Sequence, residues 1–369
     1  MKKTLIGITV VGKDKEGIVA NFTNFVFERK GNLERVNQNV IKGLFGMYLE
    51  ASFTKKMDIK RFDSDLEKLG KQLHMEVNTH HESNSQKNIA VFVTKEPHCL
   101  QTLIRAQNKK ELKGKIAVVI GTENTLSEMA KKAKLPFVLI NEKNQDKAEA
   151  NIIQICKKYN IDLIALARYM RILTPNFVWR YPNRIINIHP SLLPAFPGAM
   201  AYAQAFERGT KIIGVTSHYV TENLDQGPII FQDSFDVKPE HTLESIKRAG
   251  QKLEAEVLLK AVRMHLADKL EVRWRKVHTK WFDDYSWSIW SWVKKKDQAK
   301  KTNKPVKTFI GNFEWELLSG RLDNSGYNPP RTDYEFAGSK LFIPKNDCTL
   351  KKVIKIKVTL LKNFSFSKK

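Results

Sequence analysis

Asn187 and His189 stand two residues apart at the end of the apolar run RIINIH, and Pro190 follows at once. Alternate residues of a strand share a face, so the two side chains project together. Pro190 fixes its own φ and holds His189 extended. A third polar group, Asp225, lies in TENLDQG, between two further strand-like runs. Together the three suit attack on a formyl or amide carbon. An Asn amide donates to the oxygen that becomes negative. An imidazole carries protons between nucleophile and leaving nitrogen near neutral pH. An Asp holds that imidazole and favours its charged form. Each residue alone also has an ordinary reading: a hydrogen-bonded His capping a strand, and an Asx-type turn residue at 225.

Positioning these groups requires a sheet. From residue 89 the chain alternates apolar strands with helices. The strands are IAVFVT, KIAVVIGT, PFVLI, DLIALA and RIINIH; PHCLQTLIRAQ, TLSEMAKKAK and KAEANIIQICKKYN are the helices. Continuous apolar strands with helical crossovers predict a Rossmann-like, doubly wound α/β domain with a mostly parallel sheet, over 89–279. Ligands of such sheets bind beyond the strands' C-terminal ends, where Asn187 and His189 fall. IIGVTSHYV and PIIFQ add two strands, and the periodic segment 241–268 closes the domain as a helix.

Residues 1–82 read differently. A strand (4–12), a helix closed at Gly31, two strands split by Lys42-Gly43, a charged amphipathic helix and a last strand give βαββαβ, a ferredoxin-like unit. The polar stretch 83–88 is a linker. Adjacent His80 and His81 point to opposite faces of a strand, which disfavours a shared metal.

The chain has 369 residues and a net charge of +24, with the lysine excess heaviest in the last quarter. Residues 280–369 form a basic, aromatic-containing extension without an assigned role. Trp287, Trp290 and Trp292 ahead of three lysines admit nucleic-acid or membrane-surface contact, neither of them favoured. LKKVIKIKVTLLK alternates as one strand with no partner evident in sequence. Three scattered cysteines argue against a disulfide framework or a zinc site and fit a cytoplasmic chain. No apolar stretch reaches membrane-spanning length.

Two resemblances add to this. "DKEGIVANFTNFVFERKGNL" in its βαββαβ setting resembles the ACT domain, which implies a regulatory unit, homo-oligomer formation through paired copies and an amino-acid effector. "NIHPSLLPAFPG" with "HYVTENLDQGPI" resembles the formyltransferases that use 10-formyltetrahydrofolate, and "ARYMRILTPNFV" matches their folate-holding segment. The resemblance implies catalytic roles for Asn187, His189 and Asp225. It implies folate binding by Arg171, Ile172 and Leu173, and by Val220, Thr221, Glu222, Asn223 and Leu224. It implies neither metal nor separate cofactor, the folate being substrate.

An ACT domain joined to this domain is similar to the formyltetrahydrofolate deformylases, which release formate and tetrahydrofolate and so serve one-carbon and purine metabolism. The loop after the first strand of the second domain, Thr94-Lys95-Glu96-Pro97, agrees. It lacks the glycines with which glycinamide ribonucleotide formyltransferases hold a phosphate. Two stretches depart from the deformylase pattern: Pro190-Ser191-Leu192 replaces His-Ser-Phe, and Met200-Ala201-Tyr202-Ala203 lacks the usual Lys and His. The alternatives are formyl transfer to an amine, on glycinamide ribonucleotide or methionyl-tRNA, and a non-catalytic folate- or RNA-binding protein.

Overall fold

The computed structural model describes residues 4–54, 57–81, 86–196, 198 and 200–279, and beyond these only short strand segments of the extension. The chain divides into two compact units, 1–279 and 280–369.

The first 81 residues run β1 (Thr4–Lys13), α1 (Ile18–Glu28), β2 (Asn32–Ile41), β3 (Leu44–Phe53), α2 (Ile59–Gln72) and β4 (Met75–His81). The antiparallel sheet has the order β2-β3-β1-β4. Lys42 and Gly43 both take positive φ, 49° and 75°, the geometry of a two-residue hairpin turn. Phe62 of α2 meets Phe25 and Phe53 edge-on, and the three rings anchor the core beneath the helices. Gly31 ends α1 for a reason other than left-handed geometry. Lys30 takes the positive φ of 61°, while a Cβ on Gly31 would strike Phe53 and Val26.

The second part contains β5 (Lys87–Val93), α3 (His98–Asn108), β6 (Gly114–Gly121), α4 (Ser127–Lys132), β7 (Phe137–Leu139), α5 (Gln145–Lys158), β8 (Leu163–Ala167), α6 (Pro175–Val178) and β9 (Ile185–His189). It continues through α7 (Ala201–Glu207), β10 (Ile212–Tyr219), β11 (Ile229–Asp236), α8 (Leu243–Leu266) and the hairpin β12 (Leu270–Arg273), β13 (Lys276–Thr279). The sheet order is β11-β10-β9-β8-β5-β6-β7. β5 to β9 are parallel, and β10 and β11 run antiparallel at one edge. One apolar layer lies under α3 and α8 and another under α5 and α6, as a doubly wound sheet requires. β5 starts at Lys87, inside the segment expected as linker, because Asn88 N–H donates to Asp162 Oδ2 at 2.7 Å and ties the strand down early. In the extension, β14 (Lys307–Ile310), β15 (Phe313–Ser319) and β18 (Lys355–Leu360) form a sheet, so β15 is the partner that the alternating terminal strand lacked in sequence; two short strands, β16 (Phe336–Ala337) and β17 (Lys340–Leu341), pair separately. The three tryptophans at 287–292 lie outside the described residues. Among the described residues no helix is long and apolar enough to cross a membrane.

His265 of α8 accepts from the Tyr219 hydroxyl at 2.8 Å in its neutral form. Burial, then the charge of Lys87, pushes its pKa from 6.5 down to about 3. The unfolded chain therefore takes a proton below its ordinary value that the fold refuses. The contribution is complete above pH 6.5 and is lost as pH falls toward 3, at up to about 1.4 kcal/mol per pH unit. In His265→Gln the fall of the urea midpoint over that range should be shallower than in the parent. An unchanged pH profile would remove His265 from the acid response.

Candidate active site

β9 delivers Asn187 and His189 to the edge where the parallel strands end. β10 pairs with it antiparallel, in the register His218 to Asn187 and Thr216 to His189. His218 donates from Nδ1 to the Tyr219 carbonyl at 2.9 Å, which leaves Nε2 to accept from the Asn187 amide at 3.2 Å. This network assigns the tautomer. Burial is the main cause lowering the His218 pKa, and it keeps the ring a neutral acceptor. One Asn187 N–H is thereby fixed, and its second remains to donate to a substrate oxygen.

Asp225 arrives by a fold-back of the loop between β10 and β11. Tyr219 N–H donates to the Pro228 carbonyl at 2.9 Å, and Gly227 lies so close to the Tyr219 carbonyl that no Cβ fits. Asp225 itself takes a left-handed φ of 54°. Its Oδ2 lies 3.4 Å from His189 Nδ1 and accepts from Gly198 N–H at 3.0 Å; Oδ1 lies 3.8 Å from His218 Nε2. His189 Nε2 meets the Phe196 carbonyl at 3.0 Å. The imidazole is thus held between two oxygens, and both its side chain and that of Asp225 are buried. All three residues expected to do chemistry converge here.

The segment expected to bind folate follows β8. Its main chain is clamped from α5 and the loop before it. The Ile172 carbonyl accepts from Gln145 at 3.0 Å, Thr174 N–H donates to Glu149 Oε1 at 2.8 Å, and the Thr174 hydroxyl donates to Glu149 Oε2. Arg171 turns back to donate to the Glu142 carbonyl at 2.8 Å. Leu173 is buried, whereas Met170 and Ile172 are exposed, two apolar side chains just beyond the C-terminal end of the central strand β8. Val220 packs against the same apolar layer as Leu173, so the 220–224 loop and the 171–173 segment share a base. Thr221 bonds to the Asn223 carbonyl, Glu222 accepts from Asn39 of β2 at 3.2 Å, and Leu224 is exposed.

Three participants escaped the sequence. His218 sat in a plain strand run, and only its register opposite Asn187 marks it. Glu149 and Glu254 lie in helices as buried carboxylates whose partners are distant in sequence. Glu254 is fully buried; it accepts from the Tyr202 hydroxyl at 2.7 Å, and its Oε2 lies 3.2 Å from His98 Nε2 and 3.4 Å from Arg168 Nε. With Cys99 it forms a group of the right chemistry for a metal ion. However, the Arg168 guanidinium occupies the carboxylate's side, and burial raises the Cys99 thiol pKa well above its ordinary value. Those groups describe a buried charge cluster better than a cation site, although His98 Nδ1 and Arg168 Nε have no hydrogen-bond partner among the described residues. Glu96, held by Gln251 at 3.0 Å, adds a carboxylate just before α3.

Glu149→Gln removes one acceptor from this clamp. It should lower unfolding free energy by about 1–3 kcal/mol, the cost of a buried donor left unpaired, read from urea denaturation. A loss within error would mean that residues 171–174 are held by other contacts.

The comparisons agree with this architecture. A formyl transferase model matches residues 87–262 and an ACT domain model residues 4–80. A formyltetrahydrofolate deformylase of Bacillus subtilis strain 168 is 39% identical over 269 residues, covering 70% of this chain and 88% of that protein. The crystal structure of a formyltetrahydrofolate deformylase from Pseudomonas syringae pv. tomato DC3000 superposes with a TM-score of 0.52 at 32% identity, covering 76% of this chain and 95% of that one. Glycinamide ribonucleotide transformylase 1 of Symbiobacterium toebii, with a TM-score of 0.51 and 31% identity, covers 97% of its own length but 55% of this chain. That match spans less of this chain than the deformylases do, and the chain belongs to the formyltetrahydrofolate deformylase family.

Proposed function

We propose that the chain hydrolyses 10-formyltetrahydrofolate to formate and tetrahydrofolate, with Asn187, His189 and Asp225 as the catalytic groups. The convergence of these three at the end of β9 carries the reading. The folate lies along residues 171–173 and 220–224 and presents its formyl carbon at Asn187. A water attacks that carbon; its oxygen forms the new C–O bond, and its proton passes to His189 Nε2 once the water takes the place of the Phe196 carbonyl at that nitrogen. The Asn187 amide donates to the carbonyl oxygen as it becomes negative. Asp225 orients the imidazole and balances its charge. When the C–N10 bond breaks, N10 takes a proton from His189 and formate leaves with the oxygen of water. These steps use only protein groups and water.

Water as acceptor is supported by the charge around α3. A phosphorylated amine would bring its phosphate to the start of this helix, the usual anion site of the first crossover. Here Glu96 stands before it, Pro97 supplies no N–H, and Arg168 and His98 are engaged by Glu254. The Pro190-Ser191-Leu192 sequence favours the transferase alternative, so the acceptor is tested directly. We further infer a regulatory unit at 1–82 that pairs with a second copy and senses an amino acid, and a catalytic unit at 89–279.

Formate release should proceed without added amine and be unchanged by glycinamide ribonucleotide. His189→Ala and Asp225→Asn should each lower kcat by about 100-fold or more. Release that requires an amine would move the chain to the transferases; full turnover in both variants would sink the assigned roles.

A further inference from the structure

Between the N-terminal sheet and the flank of the catalytic sheet lies a cleft of about 710 Å³. One wall carries Asn78, Thr79 and His80 of β4, and the other carries Arg180 and Arg184 from the stretch leading into β9. The cleft also holds four carboxylates, and each is already engaged. Asp63 faces His81 at 3.1 Å, Glu67 pairs with Lys71 at 3.0 Å, and Asp162 accepts from Asn88 N–H at 2.7 Å. Glu76 serves two cations, Arg180 at 2.7 Å and Lys157 at 2.9 Å.

Arg184 is the cation left over. Its Nη2 donates to His80 Nε2 at 2.7 Å and to the Arg180 carbonyl at 3.0 Å, and its guanidinium sits 5.2 Å from the centre of the Tyr181 ring. None of these partners is an anion. His80 in particular is a neutral acceptor, its pKa pushed down to about 2 by burial first and by Arg184 second. Among the described residues no carboxylate comes within ion-pair distance of Arg184, and its Nε–H is buried without an acceptor. Asp162 acts on it across space without forming an ion pair, and a desolvated guanidinium with its Nε–H left without an acceptor is costly. Proteins meet that cost with an anion, and the planar fork of arginine matches the two oxygens of a carboxylate.

We propose that this cleft binds a small oxyanion of the carboxylate type on Arg184, with Asn78 and Thr79 of β4 as neighbouring polar groups. The site is separate from the folate segments and joins the two parts of the chain. Arg184 immediately precedes β9, and its carbonyl accepts from Ile164 N–H at 2.8 Å where β8 and β9 meet. Asn187 lies three residues further on. An anion seated here ties β4 to the base of the catalytic strand.

The test is thermal unfolding of the full chain titrated with sodium acetate or sodium sulfate, against sodium chloride at matched ionic strength. A saturable rise in Tm beyond that of chloride is expected, and it should vanish in Arg184→Met. Arg184→Lys, which keeps the charge and loses the fork, should weaken binding by about tenfold. It decides the matter alone if the methionine variant does not fold. A response to acetate supports the carboxylate ligand, and a response to sulfate alone overturns it in favour of a tetrahedral oxyanion. No saturable rise with either salt, or a rise undiminished in the variants, overturns the site.

Discussion

The antiparallel seam between β9 and β10 is the constraint on which the site depends. Because β10 runs against β9, His218 falls opposite Asn187, and the chain leaves β10 beside Ile185 and Ile186 at the start of β9, so the loop must fold back to reach His189. The turn closes at Gly227, pressed against the Tyr219 carbonyl where a Cβ would not fit. That closure carries Asp225 to His189. The register also orders the polarity: Tyr219 fixes the His218 tautomer, His218 fixes the Asn187 amide, and the amide keeps a donor for an oxyanion. Such a chain of bonds is worth more inside a low-dielectric fold than its members are in water.

Around that seam, buried carboxylates set the loops. Glu149 receives the backbone and hydroxyl of Thr174 and, with Gln145, shapes the segment bearing Ile172. Glu254 collects Tyr202 of α7, His98 of α3 and Arg168 at the end of β8. Four elements therefore meet on one carboxylate. Each acid is stable as an anion only with its donors in place, so each makes the loops around it interdependent. The exposed side chains Met170 and Ile172 therefore rest on main chain already pinned, a preformed surface rather than one that must order itself.

Much of this was legible from the residues. Continuous apolar runs separated by helical ones gave the doubly wound sheet, and α6 starts at Thr174-Pro175, a helix-start pair whose Thr174 caps Phe177 N–H. Asn187 and His189 were visible because strand parity is a local property. Glu254 was hidden for the opposite reason. It sits among the polar positions of a long periodic helix, and its burial depends on Arg168 and His98, which no local spacing connects to it. The hairpin β12–β13 was missed too: EVRWRKVHT has little alternation, and its turn residues Trp274 and Arg275 take positive φ without a glycine. Lys30 does likewise at the end of α1, where the eye goes to Gly31.

The contact between the two parts of the chain shows how a regulatory unit could act on this chemistry through main chain rather than through distance. Gly46 of β3 receives the ring of Trp179 where any Cβ would collide, so the N-terminal sheet fits against the stretch leading to β9. Asn39 of β2 bonds Glu222 in the loop that also holds Asp225. His80 of β4 bonds Arg184 at the foot of β9. The sheet thus touches both chain segments that bear the site, the strand with Asn187 and His189 and the loop with Asp225. Those two segments meet at the separation of His189 and Asp225, which at 3.4 Å is longer than a tight charge-assisted hydrogen bond.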